Sequence, residues 1–240
     1  MGKTHLALEL ANPKSNYVRV TGQDYEFLKA LLYSEDAGKT LATGADVAVH
    51  DRSFDIQVKL PSGPKSIPLQ WLDTPGEVWR NSWQKDKSGE WQRFLDEIRQ
   101  SQGILLIIPP YRELIRSEAN PQEFMTKQQW LNRFDQWVEF FSTDCRKVRH
   151  LLLCLNKADL FCNAEKEGRQ LRYEPRGAVM NWQQRDNYVR QRFFHSAEKQ
   201  IQQISNSLSE GSVRCFLTTI HNRSLLELPW IYLGTFLASN

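Results

Sequence analysis

Two stretches of the chain, 103–109 (GILLIIP) and 150–156 (HLLLCLN), are apolar at nearly every position. A strand with one solvated face alternates, so continuous runs of this length predict strands covered on both faces. A third candidate is 213–218 (VRCFLT). Val47, Val49, Phe54, Ile56, Val58 and Leu60 alternate instead, and PSGPKS (61–66) separates them from Ile67, Leu69 and Leu72. That pattern predicts a hairpin with a turn at 61–66. A short strand is expected at 17–21, with helices over 4–11, 24–33, 90–101, 121–142 and 182–208. In 24–33, Phe27, Leu28, Leu31 and Leu32 share one helical face. The closing segment 228–238 reads as a core-docking helix begun by Pro229. Strands separated by amphipathic helices predict an α/β fold: a three-layer, doubly wound, mostly parallel sheet. One domain over 1–240 accommodates this, with 160–200 as a helical insertion.

Composition narrows the class without naming it. The 240 residues carry 31 Lys+Arg against 28 Asp+Glu, a net charge of +3, with 40% hydrophobic residues. This is too apolar for a disordered chain and shows no polybasic arm, so no nucleic-acid partner is indicated. The longest apolar runs fall well short of the ~20 residues of a spanning helix. Lys3 followed by an interrupted apolar stretch does not form a signal-peptide pattern. Cys145, Cys154, Cys162 and Cys215 make no CxxC pair and no zinc spacing with the five His. A reducing, cytoplasmic setting is the expectation.

Three short strings carry chemistry. Gly2-Lys3-Thr4 runs into a helix. In a phosphate-binding loop the lysine reaches the β- and γ-phosphates, the Thr hydroxyl ligates Mg²⁺, and N–H groups at the helix start bind the anion. WLDTPGE (71–77) ends a hydrophobic strand. Asp73 there can hold Mg²⁺ through its water shell, and Gly76 lets a backbone N–H approach the γ-phosphate. An Asp-Pro-Gly turn reads the same way in isolation. LLLCLNKADLF (151–161) sets Asn156, Lys157 and Asp159 just past a buried strand. A carboxylate at Asp159 can accept both the N1–H and N2–H of guanine, with Asn156 on the other side and the Lys157 stem over the base. Adenine lacks that donor pair, so the site discriminates.

GKT, DTPG and NKAD in this order resemble the G1, G3 and G4 motifs of P-loop GTPases of the translation-factor and Ras-like class. The resemblance runs from Gly2 to the strand at 213–218. It implies GTP or GDP with Mg²⁺ at the carboxyl ends of the strands. Thr218 and Thr219 fall where the family backs the guanine. The segment 37–49 is similar to a switch I region, whose Mg²⁺-binding threonine is Thr43 rather than Thr40. Switch regions 34–45 and 73–92 would then report nucleotide state to a protein partner. The long spacer from Lys3 to Asp73 and the insert after Asp159 are similar to double-GTPase-like, GTPase-associated proteins of bacterial gene clusters.

The chain also departs from that family. The full phosphate loop needs a glycine five residues before Gly2 and a strand before that. We therefore expect a strand and loop upstream of Met1, the first strand being missing from the sheet otherwise. Glu77 stands where Ras-like enzymes place a water-orienting glutamine, so hydrolysis is expected to be slow. Arg80 and Arg93 follow as cis charge stabilisers or plain surface arginines. Trp79, Trp83 and Trp91 read as core or loop anchors, and Cys154 as a buried small hydrophobe. A second GKT, Gly38-Lys39-Thr40, lacks the glycine at Tyr33 and reads as loop then strand. The rival reading is a GTPase-like scaffold that binds partners without catalysis. An ATP-using enzyme is disfavoured by NKAD.

Overall fold

The continuously apolar runs pair side by side. In a computed structural model, the described residues are 3–12, 16–21, 33–34, 39–40, 50–73, 81–116, 119–145, 148–177, 180–208 and 211–237. We label the strands β1 (Val18–Thr21), β2 (Tyr33–Ser34), β3 (Lys39–Thr40), β4 (His50–Leu60), β5 (Gly63–Asp73), β6 (Gly103–Ile108), β7 (His150–Leu155) and β8 (Ser212–Leu217). The helices are α1 (Lys3–Ala11), α2 (Asn81–Asp86), α3 (Ser88–Gln100), α4 (Lys127–Thr143), α5 (Ala164–Leu171), α6 (Trp182–Val189), α7 (Glu198–Ser207) and α8 (Arg223–Leu237).

Strands β6, β7 and β8 form a parallel sheet in that order, with Ile108 opposite Leu155 and Leu155 opposite Leu217. Helices follow each strand, as parallel crossovers require. β1, β4 and β5 form a separate antiparallel sheet around the expected hairpin. The fold is thus α/β with a three-stranded parallel sheet; among the described residues parallel pairing is confined to β6–β8. Helix α8 lies across both sheets. A side chain at Gly234 would collide with Val58 of β4, and one at Gly103 of β6 with Leu233, so these glycines set how closely the helix approaches each sheet.

Several expectations shift. The hairpin turn is tighter than 61–66: Leu60 pairs with Gly63, whose φ of +110° only glycine adopts readily, leaving Pro61 and Ser62 as the loop. Tyr33 and Lys39–Thr40 form a two-residue strand pair. Tyr33 therefore does not end a helix over 24–33, whose other residues lie outside the described set. The residues after Lys39–Thr40, 41–49, on which the loop-then-strand reading of the second GKT rests, lie outside the described set. The expected helix 121–142 begins at Lys127, behind a Thr126–Gln129 capping box. The helix 182–208 is broken by a π segment at 190–194 and a tight turn at 195–197; the extra residue of the π turn keeps Phe193 and Phe194 both in the core. Pro229 lies inside α8 rather than at its start. Asn222 caps that helix by accepting the Leu225 N–H at 3.1 Å. The buried run Leu225, Leu226, Leu228, Trp230, Ile231, Tyr232 and Leu233 offsets the lost bond at Pro229.

Candidate functional site

The register of β7 and β8 decides what meets at their carboxyl ends. Leu155 and Leu217 are opposite, so the next residues, Asn156 and Thr218, emerge together. Asn156 N–H donates to the Ile108 carbonyl at 2.8 Å, Thr218 N–H to that of Leu155 at 3.0 Å, and Ala158 N–H to that of Thr218 at 3.1 Å. Both residues are buried, and the Thr218 hydroxyl donates to Asn156 Oδ1 at 3.2 Å. One residue further on, the Thr219 hydroxyl donates to Asp159 Oδ1, and the His221 N–H donates to Thr219 Oγ1 at 3.2 Å. His221 Nε2 stands 3.9 Å from Asp159 Oδ2.

Lys157 occupies the left-handed region, φ 59° and ψ 44°, the one positive φ outside glycine among the described residues. That conformation throws the chain into the short turn Ala158–Leu160 and turns Asp159 back toward β8. The Lys157 ammonium lies 5.3 Å from the centre of the Phe124 ring. A backbone held in this region costs about 1–2 kcal/mol for a residue with a Cβ. Asp159 is 28% exposed, so its carboxylate faces solvent while Thr219 fixes its rotamer. A carboxylate has about four lone-pair positions. With one taken by Thr219, room remains to accept two N–H groups side by side. NKAD and the Thr218–Thr219 pair thus converge in space.

Gly2, Thr43, Gly76 and Glu77 lie outside the described residues, as do the side chains of Lys3, Thr4 and Asp73; only the backbone places are given, Lys3 and Thr4 opening α1 and Asp73 ending β5. It is the carboxyl end of α1 that is anchored near α8. The Arg223 guanidinium donates to the carbonyls of Glu9, Leu10 (3.0 Å) and Val18 (2.7 Å). Glu227, fully buried, accepts Arg223 Nε at 2.7 Å and the N–H groups of Asn16 (3.1 Å) and Tyr17 (2.9 Å). At a rise of about 1.5 Å per residue, the amino end of this nine-residue helix lies roughly 10 Å from that anchor.

Sequence reasoning missed this clamp, whose only linear trace is an Arg and a Glu at i, i+4. It also missed a buried set in the insertion. Asp186 accepts Arg190 Nε at 3.1 Å and the Cys215 N–H at 2.8 Å, and Glu167 accepts the Tyr188 hydroxyl at 2.9 Å. These bonds tie α5 to α6 and α6 to β8, so the inserted helices pack onto the parallel sheet. Burial pushes the Cys145 and Cys162 thiols up to about 12, and those of Cys154 and Cys215 higher than ordinary as well. None is a thiolate nucleophile at neutral pH. Among the described residues no group of three or more His, Cys, Asp or Glu could hold a metal ion, and no helix is long and apolar enough to cross a membrane. No protein-family model matches the chain, and comparison with curated proteins finds no relative.

Proposed function

We propose that the chain is a guanine-nucleotide-binding protein of doubly wound P-loop type that hydrolyses GTP slowly and signals nucleotide state to a protein partner. The observation supporting it is the cluster at the carboxyl ends of β7 and β8, where Asp159 is oriented by Thr219 and Asn156 by Thr218. Ligands of open α/β sheets bind outside the carboxyl ends of the strands. In this reading Asp159 accepts the two guanine N–H groups, the Lys157 stem covers the base, and Asn156 holds the two loops together. Lys3 serves the β/γ-phosphates, Thr4, Thr43 and Asp73 serve Mg²⁺, and Gly76 senses the γ-phosphate. The residues fit the base better than the metal: the described part of the chain supplies a carboxylate acceptor for the two guanine N–H groups, whereas the Mg²⁺ set rests on the sequence strings. Glu77 near the γ-phosphate predicts slow turnover, and single-turnover hydrolysis as fast as an activator-stimulated enzyme would refute that part.

Titration with a fluorescent GTP analogue tests the reading. The expected result is Mg²⁺-dependent binding that ATP does not displace and that Asp159→Ala abolishes. The anchoring of α1 by its carboxyl end favours the second reading, a GTPase-like interaction module. Absence of binding at millimolar nucleotide, with the fold intact and with the upstream strand and loop restored, selects it.

A further inference from the structure

Lys157, two residues past β7, ends on a ring from a distant part of the chain. Its ammonium lies 5.3 Å from the centre of Phe124, inside the ~6 Å over which a cation is drawn to an aromatic face. Both residues are half-buried. Among the described residues no carboxylate pairs with this ammonium, so the ring is what holds the far end of the lysine stem.

The segment between β6 and α4 is built to present that ring. The Arg112 N–H donates to the Met125 carbonyl at 2.8 Å. Its guanidinium donates to the carbonyls of Pro121 and Phe124, each at 3.3 Å. The Phe124 N–H donates to the Pro121 carbonyl at 3.1 Å and closes the turn Pro121–Glu123. Phe124 is thus held through both its N–H and its carbonyl. The same segment is tied to the lysine's own turn: the Arg116 N–H donates to the Leu160 carbonyl at 3.1 Å, and the Leu160 N–H to the Lys157 carbonyl at 3.0 Å. Backbone bonds therefore fix the ring and the lysine with respect to each other.

A surface lysine samples many rotamers, and a ligand that has to freeze them binds more weakly by that cost. Here the contact with Phe124 orders the stem in the chain alone. We propose that Phe124 is a positioning residue for the nucleotide base: it holds the Lys157 ammonium so that the stem lies in place for a planar ring before one arrives. The inference rests on the guanine reading of the Asn156–Asp159 cluster and adds to it a residue from outside the NKAD string.

One test needs no nucleotide. In the chain alone, NMR should find the Lys157 ε-methylene protons upfield of their random-coil position, through the ring current of Phe124, and Phe124→Leu should return them to it. The second is titration with a fluorescent GTP analogue. Phe124→Leu should weaken binding about fivefold, whereas Phe124→Tyr, which keeps the ring, should stay within about twofold of wild type. In a Lys157→Gln background, Phe124→Leu should change affinity by less than about twofold, because the charge it acts on is gone. A loop merely loosened by loss of the ring would weaken binding in both backgrounds, so equal losses would overturn the proposal. An unshifted ε-methylene signal, or Phe124→Leu binding as tightly as wild type, would overturn it too. Those three results leave the guanine reading standing. Absence of guanine-nucleotide binding by the wild type, with the upstream strand and loop restored, would instead remove that reading and this inference together.

Discussion

The two ends of the parallel sheet put similar side chains to different uses. At the amino end, His150 Nδ1 lies 3.0 Å from Ser212 Oγ and 3.3 Å from the Tyr232 hydroxyl, and Ser212 Oγ lies 2.9 Å from that hydroxyl. The three close a ring, and Phe236 and Trp182 pack against Tyr232. At the carboxyl end, Thr218 and Thr219 each donate to one acceptor, and the second of these, Asp159, keeps a solvent-facing carboxylate. Hydroxyls satisfied by one another stabilise; hydroxyls that aim a half-exposed carboxylate prepare it for a ligand. The difference, rather than the residue types, is what makes the carboxyl end the candidate site.

Substitutions at the two ends should therefore separate stability from binding. The largest effect is expected at the amino end. Tyr232 is buried against Trp182, Phe216 and Phe236, so Tyr232→Ala should lower the unfolding free energy by about 3–5 kcal/mol. Tyr232→Phe keeps the ring and leaves Ser212 and His150 to each other, and about 1 kcal/mol is expected. Urea denaturation measures both, and nucleotide affinity should follow only the fraction folded. If Tyr232→Phe abolished binding in a folded protein, the ends would not be independent.

Asn156→Ala comes next. It strands the buried Thr218 hydroxyl, at a cost of about 1–3 kcal/mol by the same assay, and it should also weaken GTP-analogue binding. Lys157→Gly sharpens the contrast because its two effects have opposite signs. Glycine relieves the left-handed backbone, so stability is expected to change little or to rise by up to about 1 kcal/mol. Under the proposed reading binding should fall, since no stem would cover the base. A variant that lost stability and kept binding would mark Lys157 as structural.

Much of this was readable in the residues. The strands β6 and β7 were legible because an uninterrupted apolar run has few other places to go than a sheet covered on both faces, whereas β8, with Arg214 inside its run, stood only as a third candidate. NKAD was legible because its position just past such a run fixes which end of the sheet it occupies. The start of α8 was not, because Pro229 is a stronger written signal than Asn222, although tertiary burial let the helix run through the proline. The Arg223 clamp was hidden for another reason: it binds the carbonyls of Glu9, Leu10 and Val18, and backbone acceptors leave no mark on residue identity. The ring of His150, Ser212 and Tyr232 depends on register between strands, which no local pattern displays. Lys3, Thr43, Gly76 and Glu77 stay expectations of the sequence.

The smallest expected effect is a pH dependence at the amino end. Burial, followed by the charges of Arg214 and Arg149, holds the His150 imidazole below its ordinary value. The folded state thus favours neutral His150, while the unfolded chain takes up a proton near 6.5. Between the two values the unfolded state binds more protons, so stability rises with pH across that window and falls on acidification below about 6.5. His150→Gln keeps a polar group beside Ser212 and Tyr232 but cannot titrate, so the slope of unfolding free energy against pH between 5 and 7 should flatten relative to wild type. If His150→Gln left the slope as steep as in the wild type, proton uptake at the amino end would not be coupled to folding, and the division of labour between the two ends would have to be redrawn.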